Sequence, residues 1–382
     1  MIDASYDPAI CDLCACREFR VIASIDTARG MTSDSRILLR SLNKIICQNC
    51  GLVRDGNTFA ATDLKEHYGN SYQLNTNESG EEHVFYTASG PVPRSQLIHD
   101  WILQVKPTMS GRVLEVGCGQ GSVLERLTAS FPSAKFSGIE LNECAVTRAS
   151  RKGLDVHAAS SQDISGFYDT IIAFGVLEHV PHPTSFLRDL RAHLSEDGDL
   201  VIGQPMQDAP GYDLFFVDHL HHFTMEHVRA LGAKVGLEQS QVIAGCALVP
   251  NFSLHRLHKV ERQSLSVFFQ NPLSLESVRQ YFAAFARIDN VLREHPKIAV
   301  FGTGEVFALM YAYSNLAHAD IVCGLDDNRD RRENHHWPFP VILPDKAPDF
   351  SVNDVLLSIN PRYNQTVSKR LLQMGLNPIS VL

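Results

Sequence analysis

Apolar and polar positions alternate along the middle of this chain in a way that sets out strands and helices in turn. Val113-Leu114-Glu115-Val116 is a short apolar run ending in Gly117-Cys118-Gly119-Gln120-Gly121. Ser122 to about Ser130 follows, with Val123, Leu124 and Leu127 on one helical face. Phe136-Ser137-Gly138-Ile139-Glu140 and Tyr168–Phe174 are further apolar runs, and Leu200-Val201-Ile202 is another. His99 to Val105 reads as a helix leading into the first of them. The alternation predicts an α/β domain with a doubly wound, mainly parallel sheet. Ligands of such sheets bind at the carboxyl ends of the strands, beside the switch point.

After Val260 the pattern starts again. Ser274 to Arg293 carries Val278, Tyr281, Phe282, Phe285, Ile288 and Leu292 on one face. Lys297-Ile298-Ala299-Val300-Phe301 then runs into Gly302-Thr303-Gly304, and Ile321–Leu325 ends in the acids Asp326 and Asp327. Asp354–Ile359 supplies another strand. This is a smaller, C-terminal Rossmann-like domain, with too few glycines for a standard dinucleotide site. It is expected to contact substrate or a partner rather than to hold its own dinucleotide.

Composition narrows the class. The chain has 382 residues, 44% apolar and 20% charged, enough for two or three globular domains. No run approaches the ~18 apolar residues of a membrane span, and the acidic N-terminus has no apolar export segment. Net charge is −9 without a basic block, which argues against a nucleic-acid partner. Nine cysteines in such a chain point to reduced thiols or metal ligands and to the cytoplasm.

Four of those cysteines form two C-x-x-C knuckles, Cys11/Cys14 and Cys47/Cys50. Two knuckles complete a tetrahedral Zn²⁺ site, and four thiolates leave no open position, so the ion is structural. Cys16 has no knuckle of its own and is read as a bystander. Buried free cysteines are the alternative. Residues 60–95 are polar and dotted with aromatics, from His67-Tyr68 and Tyr72 through Asn75–Gly80 to Gly90-Pro91-Val92-Pro93. Such a loop serves either as a lid, with Tyr68 or Tyr72 facing substrate or cofactor, or as a segment its tyrosines pin to the next domain.

The glycine turn carries the central chemistry. Gly117, Gly119 and Gly121 let the backbone pass close beneath a ligand, and the amides of the following helix face it. Glu140 closes the next strand 19 positions after Gly121, where a carboxylate accepts both hydroxyls of a ribose. With Glu115 ahead of the glycines, the stretch resembles motif I of the class I S-adenosylmethionine-dependent methyltransferases. Phe167–Phe174, Val176-Leu177-Glu178-His179-Val180 and Leu194–Ile202 match that family's later segments in register, over roughly Gln96 to Val260. A nicotinamide site would space its glycines G-x-G-x-x-G, not G-x-G-x-G. The resemblance implies that S-adenosylmethionine is held by Glu115, Gly117, Gly119, Gly121, Glu140 and Leu141. It also implies Asp163 and Ile164 at the adenine, and Phe174 beside the methionine part. His179 in such members belongs to the site wall or to packing.

Beyond the fifth strand, Tyr212–Thr224 holds Asp218-His219-Leu220-His221-His222. An imidazole titrates near the working pH, so His219 is the candidate base, oriented by Asp218 or another acid. His221 and His222 are expected at the surface or behind the pocket wall, with His222 within reach of substrate. A second metal site is the alternative, poorly served by this loop spacing. Thr224 reads as the cap of a helix to about Leu231.

In order, the expected parts are a zinc-binding segment (1–70), a connector or lid (71–95), a methyltransferase domain (96–262) and the Rossmann-like domain (263–382). The whole chain resembles the zinc-containing C-methyltransferases of nucleotide-linked deoxy sugars. That resemblance implies a 4-keto sugar substrate, deprotonated at C3 so that the enolate attacks the methyl donor. Asp218-His219 stand at the family's Glu-His positions, while its Tyr position falls on Phe216, which has no hydroxyl. O-methylation of a sugar or polysaccharide precursor needs no enolate donor and is the alternative. A non-catalytic S-adenosylmethionine-binding protein is another.

Overall fold

The computed structural model describes residues 5–72, 82, 84–87, 90–206, 211–246, 249–261, 275–333 and 335–381. The Asn75–Gly80 part of the connector therefore lies outside the described residues. The chain forms two compact units that are interleaved in sequence. One comprises residues 1–21, 44–214 and 219–273, the other 22–43, 215–218 and 274–382.

The sheet of the first unit has seven strands. Their order is Val156–Ala158, Lys135–Glu140, Arg112–Val116, Tyr168–Phe174, Leu194–Pro205, Val249–Lys259 and Leu237–Cys246. The first five run parallel, and Val249–Lys259 is antiparallel to both its neighbours. Parallel strands covered by helices are apolar on both faces. Accordingly Val113, Leu114, Ile171, Ile172, Leu200, Val201 and Ile202 are all buried. The strand order reverses between Arg112–Val116 and Tyr168–Phe174, so the turns after Val116 and Phe174 open side by side.

Local differences from the sequence reading have simple causes. The helix before the sheet begins at Arg94, since Pro93 fixes an extended entry. Ser195–Gly198 forms a bulge in one long strand, Leu194–Pro205. The pairing steps from Tyr168 opposite Leu194 to Thr170 opposite Asp199. The Thr224 cap is present, its hydroxyl accepting from the His227 amide, and the helix runs over Met225–Lys234.

The N-terminal segment adds a second ladder. Leu42–Cys47 pairs antiparallel with Val53–Asp55, placing Lys44 opposite Asp55. Val53–Asp55 pairs in turn with His221–His222. A short helix, Ala61–Glu66, continues into a π-helical turn over His67–Ser71. Tyr68 thus sits on an ordered helical element where the sequence suggested loop. Such turns widen the helix and re-aim side chains.

The second unit contains a five-stranded parallel sheet. Its order is Val341–Ile342, Asp320–Leu325, Lys297–Phe301, Asp354–Leu357, Asn377–Ile379. Among the described residues no helix is long and apolar enough to cross a membrane.

Candidate functional site

The turn after Val116 has the geometry its glycines suggest. Gly117, Gly119 and Gly121 have φ of 71°, 54° and 77°, the left-handed region that costs a side chain energy. A Cβ at Gly117 would also stand 2.6 Å from Val176. Gly121 precedes the Ser122–Ser130 helix, whose first amides face the turn.

Glu140 closes this cradle. Its carboxylate accepts from the Gly119 amide at 2.8 Å and from the Leu141 and Asn142 amides at 2.7 and 2.9 Å. Oε1 takes the Leu141 and Asn142 amides and Oε2 the Gly119 amide, so Oε2 keeps a lone pair for a ribose hydroxyl. Glu115 is buried at the end of its strand, and its Oε2 finds no hydrogen-bond partner among the described residues. Burial, then the nearby Glu140 charge, push its carboxyl up to about 8. An unpartnered buried oxygen on a cavity wall is a site awaiting a donor.

Two cavities share Gly117. One, of about 400 Å³, is lined by Glu115, Gln120, Phe174, Glu82 and Arg94. Phe174 lies flat against Phe252, their rings 4° from parallel. The other is an open cleft of about 620 Å³ walled by Tyr68, Tyr72, Glu140, Leu141, Val176 and His179. Gly117 lines both cavities, and Glu140 lines the cleft that the tyrosines wall.

Behind the tyrosine wall stands a group of histidines and acids. Tyr68 Oη is 2.8 Å from His179 Nδ1. The His179 ring meets His219 edge to face at 4.7 Å, and His219 is 5.9 Å from His222. His222 Nδ1 lies 2.9 Å from Asp213 Oδ2. Of these, His179 lines the cleft, while His219 is packed against it and only 4% exposed. Nitrogen and oxygen atoms of Asp213, His219 and His222 lie within 4.8 Å of one another, as do those of Glu178, His179 and His219. Burial pushes the Asp213 carboxyl up to about 6, against the opposing charges of His219 and Lys44.

Several expectations need correction. The carboxylate of Asp218 has Ser33 as a partner. It accepts from the Ser33 amide at 2.8 Å and the Ser33 hydroxyl at 2.7 Å. The acids gathered with His219 are Asp213 and Glu178. Of the two places expected for His221 and His222, the surface is excluded, since each is 1% exposed. His221 packs between Tyr6 and Phe223, and burial lowers its pKa to about 3. Asp163 is exposed and closes its own turn, accepting from the Ser160 amide and hydroxyl. Its neighbour Ile164 is in the hydrophobic core. Sequence reasoning missed Asp213, Glu178, Arg94 and Lys44. Asp213 lay inside the histidine-rich stretch, where its proximity to His222 was the available signal.

Cys11, Cys14, Cys47 and Cys50 converge, with all four sulfurs within 4.8 Å of one another. Cys11 and Cys50 sulfurs are 3.6 Å apart, Cys14 and Cys47 3.5 Å. This set could hold a tetrahedral ion. Cys16 lies outside it and turns to the Glu18 backbone. Cys47, accepting from its neighbours, is held well below the usual thiol range, whereas Cys11 is pushed up to about 12.

Residues 93–242 match the methyltransferase domain family. The chain thus carries a class I S-adenosylmethionine-dependent methyltransferase domain, built on the mixed seven-stranded sheet described above. Among curated proteins it is similar to the ubiquinone biosynthesis O-methyltransferase of Bordetella bronchiseptica. The two are 32% identical over 128 residues, 31% of this chain and 52% of that protein. It is also similar to the malonyl-[acyl-carrier protein] O-methyltransferase of Bacillus cereus, 32% identical over 100 residues, 25% of this chain and 37% of that one. The chain spans about half the length of the first of these relatives. A solved magnesium protoporphyrin IX methyltransferase from Synechocystis aligns over 43% of this chain and 78% of its own, with 18% identity and a TM-score of 0.35.

Proposed function

We propose that this protein transfers a methyl group from S-adenosylmethionine to a carbohydrate. The substrate proposed is a nucleotide-linked 4-keto deoxy sugar, methylated at carbon with His219 as base. The observation that carries this reading is a single cleft joining the Gly117 turn and Glu140 to a wall of Tyr68, Tyr72 and His179, with His219 against that wall.

Bound S-adenosylmethionine would supply an activated methyl group. Glu140 Oε2 has a free lone pair for the ribose, Glu115 offers an oxygen with no partner among the described residues, and the glycine turn offers close backbone approach. These features fit the cofactor. The rest is alignment of acceptor with donor, which accounts for much of the acceleration in such transfers. His219 takes the C3 proton, and the electron pair left behind forms the enolate. The Tyr68 hydroxyl, bonded to His179, is a donor for the enolate oxygen in place of the hydroxyl that Phe216 lacks. His222 is proposed to support substrate from behind the wall, paired with Asp213.

The Phe216 position favours a second reading, O-methylation of a sugar hydroxyl, in which His219 deprotonates the hydroxyl directly. Two experiments separate the readings. Mass spectrometry of candidate sugar nucleotides after incubation with the methyl donor is expected to show a gain of one methyl. Deuterium wash-in at C3 of a 4-keto sugar, with S-adenosylhomocysteine bound, is expected for C-methylation. Methyl gain without wash-in supports the O-methyl reading, and no methyl gain on any sugar nucleotide rejects both.

The four-thiol cluster is proposed to hold one structural Zn²⁺, and the protein to work in the cytoplasm. Metal analysis should give one zinc per chain. A value of two would point to the histidine group as a metal site and count against His219 as base.

A further inference from the structure

Beneath the histidine group lies a cation that the proposed chemistry has not used. Lys44 is fully buried, with its Nζ 3.2 Å from Asp55 Oδ2 and 2.9 Å from the carbonyl oxygen of His219. The ladder brings it there. Lys44 stands opposite Asp55, and the Asp55 strand is paired on its other edge with His221–His222. The backbone at this point has two further anchors. The Asp55 amide donates to the Leu220 carbonyl, and the Leu220 amide to the Glu178 carbonyl, each at 2.9 Å.

Two anchors of that kind would hold the backbone without an ammonium. A buried charge is retained at a cost and calls for a specific reason. The charge here opposes the burial of Asp213, the acid 2.9 Å from His222. The groups facing His219 are Glu178 and His179 on one side, Asp213 and His222 on another, and Lys44 at its carbonyl. Lys44 and Asp213 place a cation and an acid beside the histidines. A resident ammonium also makes the Asp213–His219–His222 group a poor host for a divalent cation, since like charges repel strongly in a buried site.

We propose that Lys44 is a positioning residue for the methyl transfer: its buried ammonium fixes the backbone carbonyl of His219 and sets a positive charge beside the Asp213–His219–His222 group. The inference deepens, and rests on, the reading of His219 as base.

The test replaces the charge and keeps the bulk, with Lys44→Met compared with Lys44→Arg in the full-length protein. Lys44→Met is expected to move the acid limb of the kcat–pH profile upward by about one unit, the size a lost neighbouring charge produces. S-adenosylhomocysteine affinity should stay unchanged, and Lys44→Arg should restore the limb. A folded Lys44→Met protein with an unmoved limb overturns the proposal. Where Lys44→Met does not fold, Asp55→Asn serves. It frees the ammonium from its strand partner, so the limb is expected to move downward, and an unmoved limb again overturns the idea. The Asp213 carboxyl titration, followed by carbon NMR without turnover, keeps the two readings apart. If His219→Asn retains turnover, the base reading fails, while a raised Asp213 titration in Lys44→Met still upholds the role of the lysine and an unchanged one rejects it.

Discussion

The protein contains the same local device twice, and the two copies differ in what stands over them. In the first unit a strand enters the Gly117–Gly121 turn, and Glu140 at the end of the next strand accepts the Gly119 amide. In the second a strand enters Gly302-Thr303-Gly304, and Asp326 at the end of its neighbour accepts the Thr303 amide at 2.8 Å and hydroxyl at 2.9 Å. Each is a carboxylate tied back to a glycine turn across adjacent parallel strands. Above the first turn there is open space and a Glu115 oxygen with no partner among the described residues. Above the second lies the guanidinium of Arg331, laid against Gly304 and 3.6 Å from Asp326. Trp337 closes in as well, donating to the Thr303 carbonyl. The fold supplies the cradle in both places; the neighbouring side chains decide whether a ligand has room in it.

That contrast can be broken by experiment. The largest effect is expected at the reactive wall of the first site. His219→Asn should lower turnover by roughly 10²–10⁴-fold with S-adenosylhomocysteine affinity unchanged, measured by steady-state kinetics and calorimetry. Unaltered turnover would remove the base from this wall. Next comes the turn itself. Gly117→Ala adds a Cβ against Val176 at positive φ, a strain of about 1–3 kcal/mol. Cofactor affinity should fall by roughly tenfold or more, whereas Gly304→Ala, which meets only the end of Arg331, should leave it as it was. Equal losses in the two variants would mean that both turns serve the same ligand.

A smaller effect concerns protons. The Glu115 carboxyl sits near 8, above its ordinary value of 4.5. Between those values the folded chain keeps a proton that the unfolded chain has lost. Its contribution to stability is therefore full at low pH and is lost as pH rises through 8. A cationic ligand favours the carboxylate, so binding should release a proton below pH 8 and tighten as pH rises toward it. Calorimetry in two buffers of different ionisation enthalpy reads the proton directly, and Glu115→Gln should abolish the release. Smallest of all, Arg331→Ala removes a half-exposed guanidinium from the second turn. It should change stability by at most about 1 kcal/mol in thermal unfolding and leave methyl transfer unaltered.

What the sequence disclosed follows the range of each interaction. The first glycine turn was legible because its parts lie within 26 residues, from Glu115 to Glu140, and each is dictated by backbone geometry. The two C-x-x-C knuckles were legible for the same reason, and the structure gathers all four sulfurs. The histidine stretch was half legible. It marked His219 and offered Asp218 or another acid beside it; the acids gathered there are Asp213 and Glu178, while Asp218 accepts from Ser33. In a non-helical stretch adjacent side chains diverge, so sequence adjacency is a poor guide to pairing. Lys44 was illegible, since its bond to the His219 carbonyl crosses 175 positions and depends on two ladders forming first.

The strand Val53–Asp55 begins three residues after Cys50 and is hydrogen-bonded along its free side to His221–His222. The Cys50 carbonyl also receives the His227 imidazole at 2.9 Å. Trimming the first sixty residues to obtain a minimal catalytic fragment would therefore strip away one rail of the track on which the histidines ride. Such a fragment should keep its grip on S-adenosylhomocysteine and yet be unable to use it.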